Sequence, residues 1–229
     1  SSTLGSGGGR GHRSVAGYDE DTTSMGVEAA RRAMAAVGGD WSPYAVWFST
    51  TDPAYLDKTN ATTIHAALGL ASGVGAYDAL GGIRSGVGAS KIAATSTMMS
   101  VLSDIRTGLP GGADEAAGGD AAVAMCFGKS GRGADPIAVE IGGAAAVAEF
   151  TDRWRTPGDP ASKQWEERFG EQAYVPLAEE AVAAALKGAD LEPGDLDHVV
   201  VTGLHARAVR AVPRACGLDP ATVVDDLTG

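Results

Sequence analysis

Short apolar runs alternate with longer, alanine-rich stretches of helical period along most of the chain. Thr23 to Val37 carries apolar positions at helical spacing, opened by Asp19-Glu20-Asp21-Thr22 and closed by Gly38-Gly39. Acids at the start and glycine at the end predict a helix there. Tyr44 to Ser49 (YAVWFS) is short and almost continuously apolar, which predicts a buried strand. The same reading predicts helices over Thr59–Leu68 and Gly86–Ala94, an extended segment over Ala76–Ala79 and a strand over Met98–Leu102. Further strands are predicted at Ala121–Phe127 and Ile137–Ile141, with glycine-rich loops at 108–119 and 128–134. Helices at Trp165–Phe169 and Val175–Lys187 precede a strand at His198–Val201 and a helix at Ala206–Ala215 that contains Pro213. Helices alternating with fully apolar strands predict an α/β fold with a mostly parallel sheet covered on both faces.

Composition narrows the class. At 229 residues the chain is long enough for one large α/β domain or two smaller ones. Hydrophobic residues make up 44% and charged residues 21%, as in ordinary globular proteins. The 33 glycines with only 6% aromatics point to tight turns and close backbone contacts. Eighteen basic against 29 acidic residues give a net charge of −11, which argues against nucleic acid or an anionic membrane as partner. An anionic substrate would then need a local basic pocket. Cys126 and Cys216 lie far apart in unlike contexts and form neither a disulfide framework nor a metal motif. Cys126 sits mid-strand and Cys216 at a helix end, where both read as packing residues. With no apolar run of about 18 residues and no signal peptide, a cytoplasmic protein is expected. The opening GSGGGRG lacks the preceding strand and the Lys-Ser/Thr ending of a phosphate loop. Both ends read as cut from a longer polypeptide.

An internal repeat runs through this order. Glu28–Pro53 and Glu180–Ala206 share an alanine-rich helix, a turn with Pro and Asp, an apolar strand and a polar corner. Each is followed by a helix ending in Gly-Leu, at Gly69-Leu70 and at Gly217-Leu218. Setting Val46 opposite Val199 puts Asp52 opposite His205, each six residues further on. Two unrelated βα units would also look alike; the shared ending favours duplication.

The stretch GAYDALGGIRSGVGAS, residues 75–90, reads as a strand, a glycine corner and a helix of small residues. Together with GYDEDTTSMGVEAARRAM, SDIRTGLPGGADEAAGGDAAVAMCFG, TDRWRTPGD (through Trp154 and Arg155) and GEQAYVPLAEEAVAAALKGADLEPGDLDHVVV, it resembles the thiolase superfamily. The likeness is to the 3-hydroxy-3-methylglutaryl-CoA synthase-like and ketoacyl synthase-like branch, and nearly the whole chain takes part. The resemblance implies a thiolase-like αβαβα fold with internal duplication, a dimer and acyl-CoA substrates. It divides the chain into a first half at 1–150 that lacks its initial strand, and an insertion plus incomplete second half at 151–229.

Enzymes of this superfamily place a cysteine at the corner, where a helix N-terminus favours the thiolate and backbone amides hold the thioester oxyanion. Counting from Asp78, the nucleophile position falls on Ile83, and a slip to Gly82 or Arg84 gives no cysteine either. Ser85 is the nearby hydroxyl. The histidine of the pattern falls on Thr202, with His205 three residues later where ketoacyl synthases carry asparagine. Asp52 matches the place of a catalytic glutamate, and Asp52 with His205 would form an acid–base pair. Asp52 equally fits an Asp-Pro turn cap, and His205 a helix cap or a satisfied core histidine. His12, His65 and His198 read as structural or solvated. Tyr55 and Tyr77 are phenol donors or packing residues. Arg84 and Arg207 fit a CoA phosphate, a substrate carboxylate or the surface.

Three functions follow as expectations. The first is aldol or retro-aldol chemistry on an acyl-CoA, which needs a base and an enolate-holding donor but no thiolate. The resemblance implies a small zinc-ribbon/OB-fold partner or fused domain for it. The second is a catalytically inactive acyl-CoA-binding or scaffolding subunit. The third is a synthase-like acyltransferase with an unrecognised nucleophile. Coenzyme A thioester is the expected substrate, with no covalent cofactor and no metal.

Overall fold

A computed structural model of the chain describes residues 13–106, 108–112, 114–115, 118–128, 135–156, 158–159 and 161–224. The GSGGGRG stretch, His12 and parts of both glycine-rich loops lie outside the described residues. The chain divides into two compact units, Ser1–Ile137 and Ala138–Gly229.

The first unit begins with α1 (Thr22–Val37), whose N-terminus is closed by a reciprocal box. The Asp21 carboxylate accepts the Ser24 N–H at 2.6 Å, and Ser24 Oγ accepts the Asp21 N–H at 2.8 Å. There follow β1 (Ala45–Thr50), α2 (Ala61–Ala67), β2 (Gly75–Leu80), α3 (Ile83–Ala93), β3 (Met99–Asp104) and β4 (Ala121–Cys126). The strands form one sheet in the order β2-β1-β3-β4. β1 pairs parallel with both β2 and β3, and β4 closes the sheet antiparallel to β3. The sheet is therefore mostly parallel, as the apolar strand pattern predicts.

Alternation along the strands divides the sheet into two faces. Val46, Phe48, Met99 and Val101 are fully buried and pack with Ala30 of α1 and Ala61 and Ile64 of α2. The opposite face carries α3, where Ser90 Oγ and Ser100 Oγ share a hydrogen bond of 3.0 Å. Opposite placement of α2 and α3 lets successive parallel strands join without crossing.

In the second unit, β5 (Arg153–Trp154) and β6 (Lys163–Gln164) form a short antiparallel pair. The long helix α4 (Glu167–Ala189) and α5 (Ala206–Ala215) pack together. Phe150 lies edge-on to Phe169 and Tyr174, with ring centroids 5.9 and 5.1 Å away. Trp165 stacks on Phe169 at 5.1 Å.

Four expectations need correction. Ile137–Ile141 forms no strand among the described residues, and Ile137, Val139 and Ile141 are exposed. A strand exists only where a neighbour takes its backbone hydrogen bonds, and the alanine-glycine run that follows supplies none. The strand expected at His198–Val201 shrinks to one parallel bridge, Val199 with Val223. The helices expected at Trp165–Phe169 and Val175–Lys187 are one helix, α4. Pro176 forfeits one helical hydrogen bond there, and the flanking turns carry the helix through it. Finally, α3 starts at Ile83, three residues before the expected Gly86.

Phe48→Ala is expected to destabilise the first unit by about 3–5 kcal/mol, read as a lower urea midpoint, because it empties the fully buried centre of that core.

Candidate active site

The C-terminal ends of β1, β2 and β3 lie on one edge of the sheet, because the three strands run parallel. Ligands of open α/β sheets bind at this edge. Thr50 stands opposite Leu80 in the register, so the corners that follow β1 and β2 are neighbours. They are joined directly: the Gly81 N–H donates to the Thr50 carbonyl at 3.1 Å. Gly81 has a φ of 102°, which only glycine adopts without strain, and Gly82 then caps α3 in extended conformation. Ile83 is the first residue of α3 and is 49% exposed. Arg84 is exposed beside it. Ser85 turns inward, its Oγ donating to the Leu80 carbonyl at 3.3 Å.

Two carboxylates hold these corners. Asp104, at the end of β3, accepts from Thr50 Oγ1 at 3.0 Å, the Thr51 N–H at 2.7 Å and Thr51 Oγ1 at 3.0 Å. This fixes the turn into Asp52, whose carbonyl accepts Thr22 Oγ1 at 2.9 Å while the residue itself is exposed. Asp78, on β2, accepts the N–H groups of Asn60 and Ala61, both at 2.7 Å. It thereby caps α2, whose own N-cap residue Asn60 makes no capping bond. The fully buried Asn60 amide closes the loop onto Tyr55, receiving its N–H at 3.1 Å and donating to its carbonyl at 2.9 Å. Tyr55 is exposed, with the Lys58 ammonium 5.3 Å from its ring centroid. The structure thus brings Asp52, Tyr55 and the corner Gly82-Ile83-Arg84-Ser85 to one edge of the first unit.

The remaining residues singled out in the sequence lie in the second unit. Thr202 is exposed in the loop before α5. His205 is the N-cap of α5, its Nδ1 accepting the Ala208 N–H at 3.1 Å. In the neutral ring Nε2 therefore carries the proton; it is buried and has no hydrogen-bond partner among the described residues. The ring lies against Gly170 of α4, where a Cβ would stand 2.5 Å from Nε2. Tyr174 flanks the imidazole at 6.0 Å between centroids and donates its hydroxyl to Asp152 at 3.0 Å. Burial, reinforced by Asp152, pushes the Tyr174 phenol up to about 12. Arg207 pairs with Glu171 of α4 at 3.0 Å, and both line a cleft of about 620 Å³ with Arg210, Ala211, Arg214 and Ala215.

Sequence reasoning missed Asp104, the capping role of Asp78, and the arginines at 210 and 214. Asp104 had one signal, a carboxylate at the polar end of an apolar strand. The three arginines had a clearer one, the helical spacing 207, 210, 214. Neither cysteine is placed as a nucleophile: Cys126 packs against the core of the first unit and Cys216 caps the C-terminus of α5. Burial pushes the Cys126 thiol up to about 11. Burial and the nearby Glu179 charge also raise Cys216. Among the described residues, no group of three or more His, Cys, Asp or Glu side chains is placed to hold a metal ion, and no helix is long and apolar enough to cross a membrane.

No protein-family model matches the chain. The hydroxymethylglutaryl-CoA synthase of Aeropyrum pernix is 33% identical over 196 residues, which cover 82% of this chain and 54% of that relative. The synthase of Picrophilus torridus is 31% identical over 197 residues, covering 82% and 55%. Among solved structures, 3-oxoacyl-(acyl carrier protein) synthase III (FabH) from Pseudomonas aeruginosa superposes with a TM-score of 0.74 at 19% identity, over 94% of this chain and 70% of that one. OleA from Xanthomonas campestris gives 0.75 at 16% identity, over 93% and 69%. The chain is thiolase-like, and its sequence is similar to that of hydroxymethylglutaryl-CoA synthases. This thiolase-like chain spans about half the length of the curated relatives it matches.

Two outcomes are expected of this geometry. Asp78→Ala leaves the N–H groups of Asn60 and Ala61 at the start of α2 without their acceptor, and is expected to cost about 3 kcal/mol in urea unfolding. For Cys126, the folded state holds its proton up to about pH 11, whereas an unperturbed thiol releases it near 9.0. Its contribution to stability is full below pH 9 and is lost as pH rises towards 11. Urea midpoints between pH 8 and 11 are expected to fall less in Cys126→Ala than in the parent.

Proposed function

We propose that this thiolase-like chain belongs to an enzyme that makes or breaks a carbon–carbon bond in an acyl-CoA thioester by aldol-type chemistry, without an acyl-enzyme. The observation that carries the reading is Ile83. An aliphatic side chain opens α3 at the corner where the resemblance expects a nucleophilic cysteine, and an isoleucine accepts no acyl group. Gly81 and Gly82 keep the backbone at that corner open to a thioester, and the N-terminus of the 11-residue α3 favours negative charge developing on its oxygen.

In the cleavage direction, Asp52 takes the proton of a β-hydroxyl. The Cα–Cβ bond breaks, the β-carbon leaves as an aldehyde or ketone, and the electron pair passes into the thioester enolate. Protonation at Cα then releases the shortened acyl-CoA. His205 is assigned as the second acid–base group, with Nε2–H as its donor. Tyr55, Arg84 and Arg207 are assigned to substrate binding. A homodimer and a zinc-ribbon/OB-fold partner belong to the same reading. A second reading, a non-catalytic acyl-CoA-binding subunit, draws support from His205, whose Nδ1 serves its own helix and whose Nε2 is enclosed.

The test is incubation of the purified protein with β-hydroxyacyl-CoA, scoring aldehyde or ketone together with shortened acyl-CoA. Asp52→Asn is expected to lower kcat by about 10²–10⁴-fold. His205→Asn keeps a side chain that caps α5 well, removes the imidazole, and is expected to lower kcat by about 10²-fold. Undiminished turnover in both variants overturns the site assignment. Acyl-CoA binding without turnover favours the subunit reading, and a radiolabelled acyl group retained on denatured protein favours the acyltransferase.

A further inference from the structure

Asp52 is exposed, yet both polar groups of its own backbone are held by buried hydroxyls. Its N–H donates to Thr50 Oγ1 at 3.1 Å, and its carbonyl accepts from Thr22 Oγ1 at 2.9 Å. Thr22 and Thr50 are each only 2% exposed. They come from different elements, Thr50 as the last residue of β1 and Thr22 as the first of α1. Thr50 Oγ1 gives its proton to Asp104 Oδ1 at 3.0 Å, so it turns a lone pair to the Asp52 N–H. Thr22 opens a helix whose start is locked by the Asp21–Ser24 box. Gly26, one turn further on, lies against Phe48, Ile64 and Val101 of the core, which places that helix start over the sheet. Pro53 follows Asp52 directly and steers it away from helical backbone angles.

We propose that Thr22 and Thr50 are positioning residues for Asp52, which set the direction of its carboxylate through its backbone. An aspartate has two side-chain torsions, so once its N, Cα and C are fixed the Cβ direction follows, and only χ1 and χ2 remain. Both hydroxyls are buried, and they act on the reaction only through Asp52. The inference rests on the reading above, in which Asp52 takes the proton of a β-hydroxyl. A base must stand within hydrogen-bond reach of the proton it removes. A displacement of about 1 Å is enough to cost about 10²-fold in rate. An exposed turn does not by itself hold a short side chain to that precision. Tying its two ends to α1 and β1, which the same core holds together, does so.

Thr22→Val and Thr50→Val keep the branched shape and remove one hydroxyl each, whereas Thr22→Ser and Thr50→Ser keep the hydroxyl. With β-hydroxyacyl-CoA, each valine variant is expected to lower kcat about tenfold with KM within about twofold, and each serine variant to stay within about twofold of the parent in both. In an Asp52→Asn background the valine substitutions are expected to change kcat by less than about twofold, because the group they position is gone. Equal losses in both backgrounds would mark a purely structural role and overturn the proposal, as would undiminished kcat in the valine variants. Three-bond NMR couplings from Asp52 Cγ to its own N and C′ read the placement without turnover. They are expected to report one χ1 rotamer in the parent and the serine variants, and rotamer averaging in the valine variants. An averaged χ1 in the parent, which depends on no variant folding, overturns the positioning role. So does a χ1 that ignores the loss of either hydroxyl. Failure of the aldol reading looks different: the parent turns over no β-hydroxyacyl-CoA, yet its single rotamer and the averaging in the valine variants persist.

Discussion

Parallel pairing of β1 on both of its sides decides where chemistry can sit in the first unit. Because β2 and β3 run with β1, the chain leaves all three strands at the same edge and must turn there. Those turns are not left to loop propensity. Asp104 reaches from β3 to take three hydrogen bonds from Thr50 and Thr51, and Asp78 on β2 supplies the cap that α2 lacks. Each carboxylate serves a segment far from it in sequence, so the edge is stitched across strands. The consequence is that the corners bearing Asp52 and the Gly82-Ile83 turn share one edge, joined by the hydrogen bond from Gly81 to Thr50.

The second unit is organised by the contact between α4 and α5. Gly170 admits the His205 ring, Tyr174 flanks it, and Glu171 reaches Arg207, so three successive features of one helix face meet the start of the other. His205 illustrates how a polar residue near a candidate site can be occupied structurally. Its Nδ1 satisfies an N–H group that the helix leaves without an internal partner. The same helix then carries its arginines outward at a spacing that concentrates positive charge within an acidic chain.

Several elements were legible because their signals are local. The acidic run Asp19-Glu20-Asp21 opens α1, Gly38 ends it, and the run from Ala45 to Thr50 is too short and too apolar for a surface helix. The glycine corner after β2 was legible too, since a positive φ at Gly81 needs that residue type. What failed was the reading of apolar runs without partners. Ile137–Ile141 and His198–Val201 have strand composition, but one finds no neighbour among the described residues and the other finds one bridge. Hydrogen bonding between strands is a property of two segments, and a single segment cannot declare it.

The sequence by itself determined the local alphabet of this protein: which segments are helical, where glycine must turn the chain, and that residue 83 is an isoleucine unable to act as a nucleophile. It also determined the helical spacing of Arg207, Arg210 and Arg214. Only the tertiary structure decided which side chains serve those elements. Asp78 became a cap for a helix 17 residues away and Asp104 a clasp on a strand end more than 50 residues away. His205 became the cap of its own helix, and Glu171 the counter-ion of Arg207. The physical reason is that a hydrogen bond or ion pair depends on distance in space, and the pairing of β1 with β2 and β3, like the packing of α4 on α5, sets those distances.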